Sequence, residues 1–143
     1  MYKMTRLSRS DPKSKTSALR HIEKTLVSGL SPFVQQNGLS YELRVGENPP
    51  YIEIDLNGQT TRFFYDGGLE HYFDSGELTS DTLDKATERT LIFSRLLEKS
   101  INADYYNHLV LETDKEELSE DEREEIARWT SRYEDKGFNV VVK

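Results

Sequence analysis

Residues 51–64 read YIEIDLNGQTTRFF, and this stretch decides the fold class. Apolar and acidic residues alternate before Asn57-Gly58, a pattern typical of a half-buried strand. Asn57-Gly58 favours a two-residue hairpin loop, because both loop positions of a type I′ turn need positive φ. The register set by this loop places Glu53 opposite Arg62, an attractive cross-strand pair. The sequence therefore predicts an antiparallel hairpin at the centre of the chain.

The elements predicted around this hairpin give an α+β fold. Strands at 41–45 and 69–73 extend the hairpin to an antiparallel β-meander flanked by helices. The other predicted elements are a helix over 14–37 that breaks at Pro32 and restarts with Ser31 as its cap, a helix from Thr79 or Ser80 to about 101, a strand at 108–112, a helix capped by Ser119, and a strand at 138–142. The element order is α-β-β-β-β-α-β-α-β. The last three elements form a C-terminal β-α-β unit. A right-handed crossover would allow its two strands to pair in parallel, but the sequence leaves this pairing open.

Composition bounds the chemistry and the location. The 143 residues include no cysteine, which excludes disulfides, a thiol nucleophile and thiolate metal sites. No apolar run approaches the ~20 residues that a membrane-spanning helix needs, and the basic N-terminus lacks the apolar run of a secretory signal. We therefore expect a cytoplasmic protein that does not contact membranes.

The net charge of −7 is unevenly distributed. Residues 1–24 hold seven basic and two acidic residues, which gives +5, and the remainder holds twelve basic and twenty-four acidic residues, which gives −12. Residues 1–12 show no apolar periodicity, so we predict a basic flexible arm ahead of a single α+β domain over 13–143. Weak nucleic-acid contact through this arm would use its basic residues and the next two along the chain, which are Lys3, Arg6, Arg9, Lys13 and Lys15.

No catalytic motif is present in the sequence. The three histidines lie in separate predicted elements without metal-ligand spacing, and phosphate-binding glycine loops and a serine nucleophile elbow are absent. The densest grouping of chemically active side chains is in the meander: Glu53, Asp55, Glu70, His71 and Asp74. Hard divalent cations prefer such oxygen ligands, so the alternative function is a divalent-metal-dependent enzyme acting on phosphodiesters or nucleic acid.

The leading interpretation is a protein that binds rather than catalyses. Residues 114–125 read DKEELSEDEREE, which is eight acids against two basic residues. Ser119 and Glu122 form a capping box, and the carboxylates expected to face outward are Glu117, Asp121, Glu124 and Glu125. We predict a small acidic regulatory protein, of the inhibitor, immunity or chaperone type, that binds a protein partner through this helix start and needs no cofactor.

Overall fold

The computed structural model describes residues 2–9, 15–38, 40–46, 50–56, 58–64, 68–74, 77–98, 104–113 and 117–143. The strands, numbered in chain order, are β1 (Tyr2–Arg9), β2 (Tyr41–Gly46), β3 (Tyr51–Leu56), β4 (Gln59–Phe64), β5 (Leu69–Phe73), β6 (Asp104–Thr113) and β7 (Asn139–Val142). The helices are α1 (Lys15–Asn37), α2 (Ser80–Glu98) and α3 (Glu120–Asp135). Across these ranges, no helix is both long and apolar enough to cross a membrane.

One mixed sheet of seven strands organises the molecule, in the order β2-β3-β4-β5-β1-β6-β7. All neighbours are antiparallel except β6 and β7, which pair in parallel across α3. The predicted α+β class, the antiparallel meander and the C-terminal β-α-β unit are therefore confirmed. The pairing of β6 with β7 shows that the two strands of that unit are parallel. The predicted hairpin register is also confirmed, since Glu53 lies opposite Arg62 and Leu56 lies opposite Gln59.

The side chains of β3 show how the sheet divides its two faces. Ile52, Ile54 and Leu56 are buried, whereas the alternate residues on the other face are partly exposed. The buried face carries the helices, because α1 packs on β3 and α2 packs on β5, β1 and β6. We call the buried face the inner face and the opposite one the outer face.

The core has two parts, and α2 contributes to both. The first part lies under α1 and includes Phe63, Phe93 and Leu97. The second lies under α3 and includes Met4 and Trp129. Helix α2 contacts α1 on one side and α3 on the other, so its buried surface joins the two parts.

Strand β1 corrects the predicted N-terminal arm. Tyr2–Arg9 pairs with β5 on one side and with β6 on the other, so the arm prediction is wrong for these residues. Residues 10–12 lie outside the described ranges. Tyr2 and Met4 alternate with Lys3 as strand residues should, but this period-two signal is short. Arg6 interrupts it with a charge at an inward position.

Helix α1 differs from its prediction at Pro32. The helix is continuous across this proline, and Ser31 is not a cap: its hydroxyl donates to the carbonyl of Val27 at 3.1 Å. A proline removes one helical N–H, which leaves the carbonyl four residues earlier without its helical donor. That residue is Ser28, which is exposed together with Pro32, so water can satisfy the carbonyl. The predicted end is correct, since the helix stops at Asn37 and Gly38 adopts φ of 62°.

Candidate functional site

The predicted metal ligands on β3 are engaged in local contacts. Glu53 and Asp55 share the outer face of β3. The Glu53 carboxylate accepts from Arg62 Nε at 2.9 Å, and this hydrogen bond raises the pKa of Arg62. The Asp55 carboxylate accepts from the Gly58 amide at 3.1 Å, inside the hairpin loop. Both carboxylates therefore stabilise the hairpin.

Arg62 is also held between two aromatic rings. Its guanidinium carbon lies 4.9 Å from the centroid of Tyr51 and 5.0 Å from that of Tyr72. The ion pair with Glu53 was predicted from the hairpin register, whereas this stacking was not predicted. The signal was present, because cross-strand and diagonal neighbours on one sheet face lie within reach of aromatic side chains.

Glu70 belongs to a second network on the outer face. It accepts a short hydrogen bond from the Tyr72 hydroxyl and lies 3.6 Å from Lys3 Nζ. Lys3 in turn lies 2.8 Å from Glu112, and their hydrogen bond raises the pKa of Lys3 and lowers that of Glu112. This network links three adjacent strands, β5, β1 and β6.

His71 cannot join the carboxylates, because it lies on the inner face. Its side chain is 1% exposed, and its Nδ1 lies 2.7 Å from the Thr61 hydroxyl. Burial, followed by the charge of Arg89, lowers the His71 pKa to about 3. Asp74 is exposed just after β5. The structure thus separates the five predicted ligands, and across the described residues no group of three or more His, Asp or Glu side chains could hold a metal ion.

The predicted basic site is not assembled either. Lys3 is committed to the outer-face network, and Arg6 is buried with its guanidinium carbon 5.1 Å from the Tyr105 ring centroid. Burial lowers the pKa of Arg6. Arg9 and Lys15 are placed only as backbone positions in β1 and α1, and Lys13 lies outside the described residues. Lys3 and Arg6 therefore do not form the predicted arm, because they hold the sheet together.

The start of α3 does contain the predicted capping box. Ser119 Oγ accepts from the Glu122 amide at 3.1 Å, and the Glu122 carboxylate accepts from the Ser119 amide at 3.2 Å. The same carboxylate accepts from the Leu78 amide at 3.2 Å and from the Tyr2 hydroxyl at 3.4 Å. Glu122 is 4% exposed, so this acid fixes the helix start against β1 and the segment before α2.

Glu125 also has a structural partner. Its carboxylate accepts from the Ser80 amide at 2.7 Å and, through a short hydrogen bond, from the Ser80 hydroxyl. The contact with the Ser80 side chain is the main cause that lowers the pKa of Glu125. Arg128 completes the group, with its guanidinium 2.9 Å from the second Glu125 oxygen. Glu125 therefore joins the starts of α2 and α3.

Four carboxylates remain exposed around the start of α3: Glu117, Glu120, Asp121 and Glu124. We call these four residues the acidic surface. Glu117, Asp121 and Glu124 were among the carboxylates predicted to face outward. Glu120 was missed, although it lies one helical turn before Glu124. Among the ion pairs of the described residues, none involves these four carboxylates. Arg123 is the basic residue interspersed among them.

Comparisons with known proteins give no relative. No family model, curated protein or solved structure matches this chain.

The basic residues farther along α3 do not neutralise the acidic surface. Arg132 makes two hydrogen bonds of 3.0 Å to the two carboxylate oxygens of Asp84, on α2. Arg128 forms an ion pair with Glu125. Each of these cations therefore has a structural carboxylate of its own. The acidic surface keeps its negative field, which can attract a basic partner.

Proposed function

We propose that this protein is a non-enzymatic binding protein, which docks a basic segment of a macromolecular partner on the acidic surface. The observation that carries the proposal is the contrast within one helix start. The carboxylates of Glu122 and Glu125 accept hydrogen bonds from Leu78 and Ser80. The four carboxylates of the acidic surface, in contrast, are exposed without a described partner.

The way the helix start is held supports this function. Glu122 binds donors from three parts of the chain, and Glu125 links α3 to α2. A fixed arrangement of charges loses little freedom when a partner binds, so more of the interaction energy is available as affinity. The excess of negative charge, four carboxylates against Arg123, would also increase the association rate of a basic partner at low salt.

The test compares two triple variants that change the net charge equally. The first reverses Glu117, Asp121 and Glu124 to lysine. The control reverses three exposed acids elsewhere, Glu23 on α1 together with Glu134 and Asp135 at the end of α3. The probes are an oligolysine peptide, and a source lysate whose captured proteins are compared between the variants by mass spectrometry.

We expect the first variant to associate with oligolysine more slowly at low salt, and to lose lysate proteins that the control retains. The salt dependence of its association should also be weaker, since charges at the rim of an interface act mainly on the association rate. Circular dichroism must show intact helices, because acids at a helix start also stabilise the helix. Equal losses in both variants would mean that only net charge matters, and would reject the acidic surface.

A further inference from the structure

Strand β2 forms one edge of the sheet, and its outward side is not paired with any described strand. Its sequence is YELRVG over 41–46. Val45 is 64% exposed, more than either other large apolar side chain identified as exposed, Val27 or Val142. Unpaired edge strands of this kind are templates for another strand.

The hydrogen bonds of the meander identify which β2 residues present their backbone outward. The Phe64 amide donates to the Gly68 carbonyl at 2.9 Å, so Phe64 directs its N–H towards the β5 side. Successive residues of a strand direct these groups to opposite sides, so Phe63 directs its backbone towards β3. The same alternation can be followed across the pairing of β4 with β3 and then across the pairing of β3 with β2. It identifies Tyr41, Leu43 and Val45 as the residues of β2 whose backbone groups point outward.

These three positions limit how a second β2 can pair antiparallel across a two-fold axis. Outward-directed residues must face each other, so the axis passes through a residue of the strand. Only axes at Glu42, Leu43 or Arg44 bring more than one of the three outward-directed positions into such pairs. An axis at Glu42 or at Arg44 sets that charge opposite its own copy. Only the axis at Leu43 sets Glu42 opposite Arg44 of the second copy, twice, and it also sets Tyr41 opposite Val45.

We propose that β2 pairs with β2 of a second copy of this chain, with the two-fold axis at Leu43. The pairing would make one continuous sheet of two subunits. It would cover Val45 with the tyrosine of the other copy and satisfy the outward backbone groups. In the single chain, Glu42 and Arg44 bind each other along one strand at 2.8 Å, and both remain largely exposed. They are therefore free to exchange this contact for the cross-strand one.

The test uses charge reversals measured by sedimentation equilibrium. Arg44→Glu alone and Glu42→Arg alone each place like charges opposite each other twice, and each should weaken the dimer roughly tenfold or more. The double variant Glu42→Arg/Arg44→Glu restores opposite charges and should dimerise like the original chain. An equimolar mixture of the two single variants should form a mixed dimer, since positions 42 and 44 then carry complementary charges.

Amide exchange gives a second, independent readout. The amides of Leu43 and Val45 should become protected as the protein concentration rises, whereas those of Glu42 and Arg44 are already bonded to β3 and should not change. A chain that stays monomeric to about 0.5 mM, where even weak interfaces form, would overturn the proposal. A dimer that the single reversals leave intact would also overturn it. So would single variants whose dimerisation is restored neither by the double variant nor by the mixture, a result that would fit an edge strand that binds a different protein.

Discussion

Trp129 of α3 donates its indole N–H to the hydroxyl of Thr87 on α2, at 3.0 Å and with both side chains fully buried. The Thr87 hydroxyl in turn donates a hydrogen bond to the Leu83 carbonyl at 2.8 Å, one turn earlier on α2. The contact between α2 and α3 is therefore fixed by a directed polar pair as well as by apolar packing.

Thr87→Val removes the acceptor of Trp129 while keeping the shape of the side chain. A buried donor left unpaired costs about 1–3 kcal/mol, so we expect the free energy of unfolding to fall by that amount. Urea unfolding followed by the fluorescence of Trp129, the single tryptophan, measures it. Thr87→Ser keeps the hydroxyl and should lose less. Equal losses for both variants would mean that the hydrogen bond from Trp129 contributes no more to stability than the methyl group that serine lacks.

Ser119→Ala should destabilise the protein by about 0.5–2 kcal/mol, because the Glu122 amide loses its capping acceptor. Ser131→Ala on the exposed side of α3 is the matched control, and we expect little change from it. Denaturant unfolding compares the two. A Ser119 variant as stable as the Ser131 variant would show that the capping bond contributes nothing measurable.

His71 should make the protein less stable in mild acid. The unfolded histidine takes up a proton as the pH falls through 6.5, whereas the buried one stays neutral to a pKa of about 3. Burial of the neutral His71 therefore does not reduce the free energy of unfolding well above pH 6.5. Below pH 6.5, protonation of the unfolded state lowers the free energy of unfolding progressively. We expect a loss of about 2 kcal/mol between pH 7 and pH 5, where most carboxylates remain ionised.

The matched variant for this prediction is His71→Gln, which does not titrate. Its free energy of unfolding should change less between pH 7 and pH 5 than that of the original chain, since His21 and His108 are present in both. Identical pH profiles would mean that His71 is protonated as readily in the folded state as in the unfolded one.

Arg62→Lys should lower the free energy of unfolding by about 1 kcal/mol. A lysine cannot donate through a planar group to Glu53 while lying between the rings of Tyr51 and Tyr72. Arg95→Lys, at an exposed position of α2, is the control and should have little effect. Thermal unfolding of the two variants decides the point, and equal midpoints would refute a structural role for the stacked guanidinium.

The hairpin and the capping box were predictable because each depends on residues close together in the sequence. Asn57-Gly58 fixes the loop, the loop fixes the register, and the register pairs Glu53 with Arg62. The roles of Glu122 and Glu125 were only partly predictable. Their additional partners, Leu78 and Ser80, lie more than forty positions away and are supplied by packing of the helices.

The separation of His71 from the carboxylates of the outer face follows from a pattern that the sequence already contained. Glu70 and His71 are consecutive in a strand, so their side chains point to opposite faces. Arg6 is the opposite case, since nothing local predicts that a charged residue of a basic segment lies inside. The Arg6 guanidinium packs against the rings of Tyr105 and Phe138. Both aromatic residues are distant from Arg6 in the sequence.

The position of β1 has a consequence for how the chain is assembled during synthesis. Strands β2 to β5 are joined in sequence and can pair with one another as they emerge, and β6 and β7 form a second local unit. β1 is made before all of them, yet it bonds to one edge of each group, with Tyr2 opposite both Phe73 and Thr113. Closing such distant pairings is slow. Among the described strands, β1 is therefore synthesised long before both of its neighbours, β5 and β6. The two groups become one sheet only when β1 pairs with both.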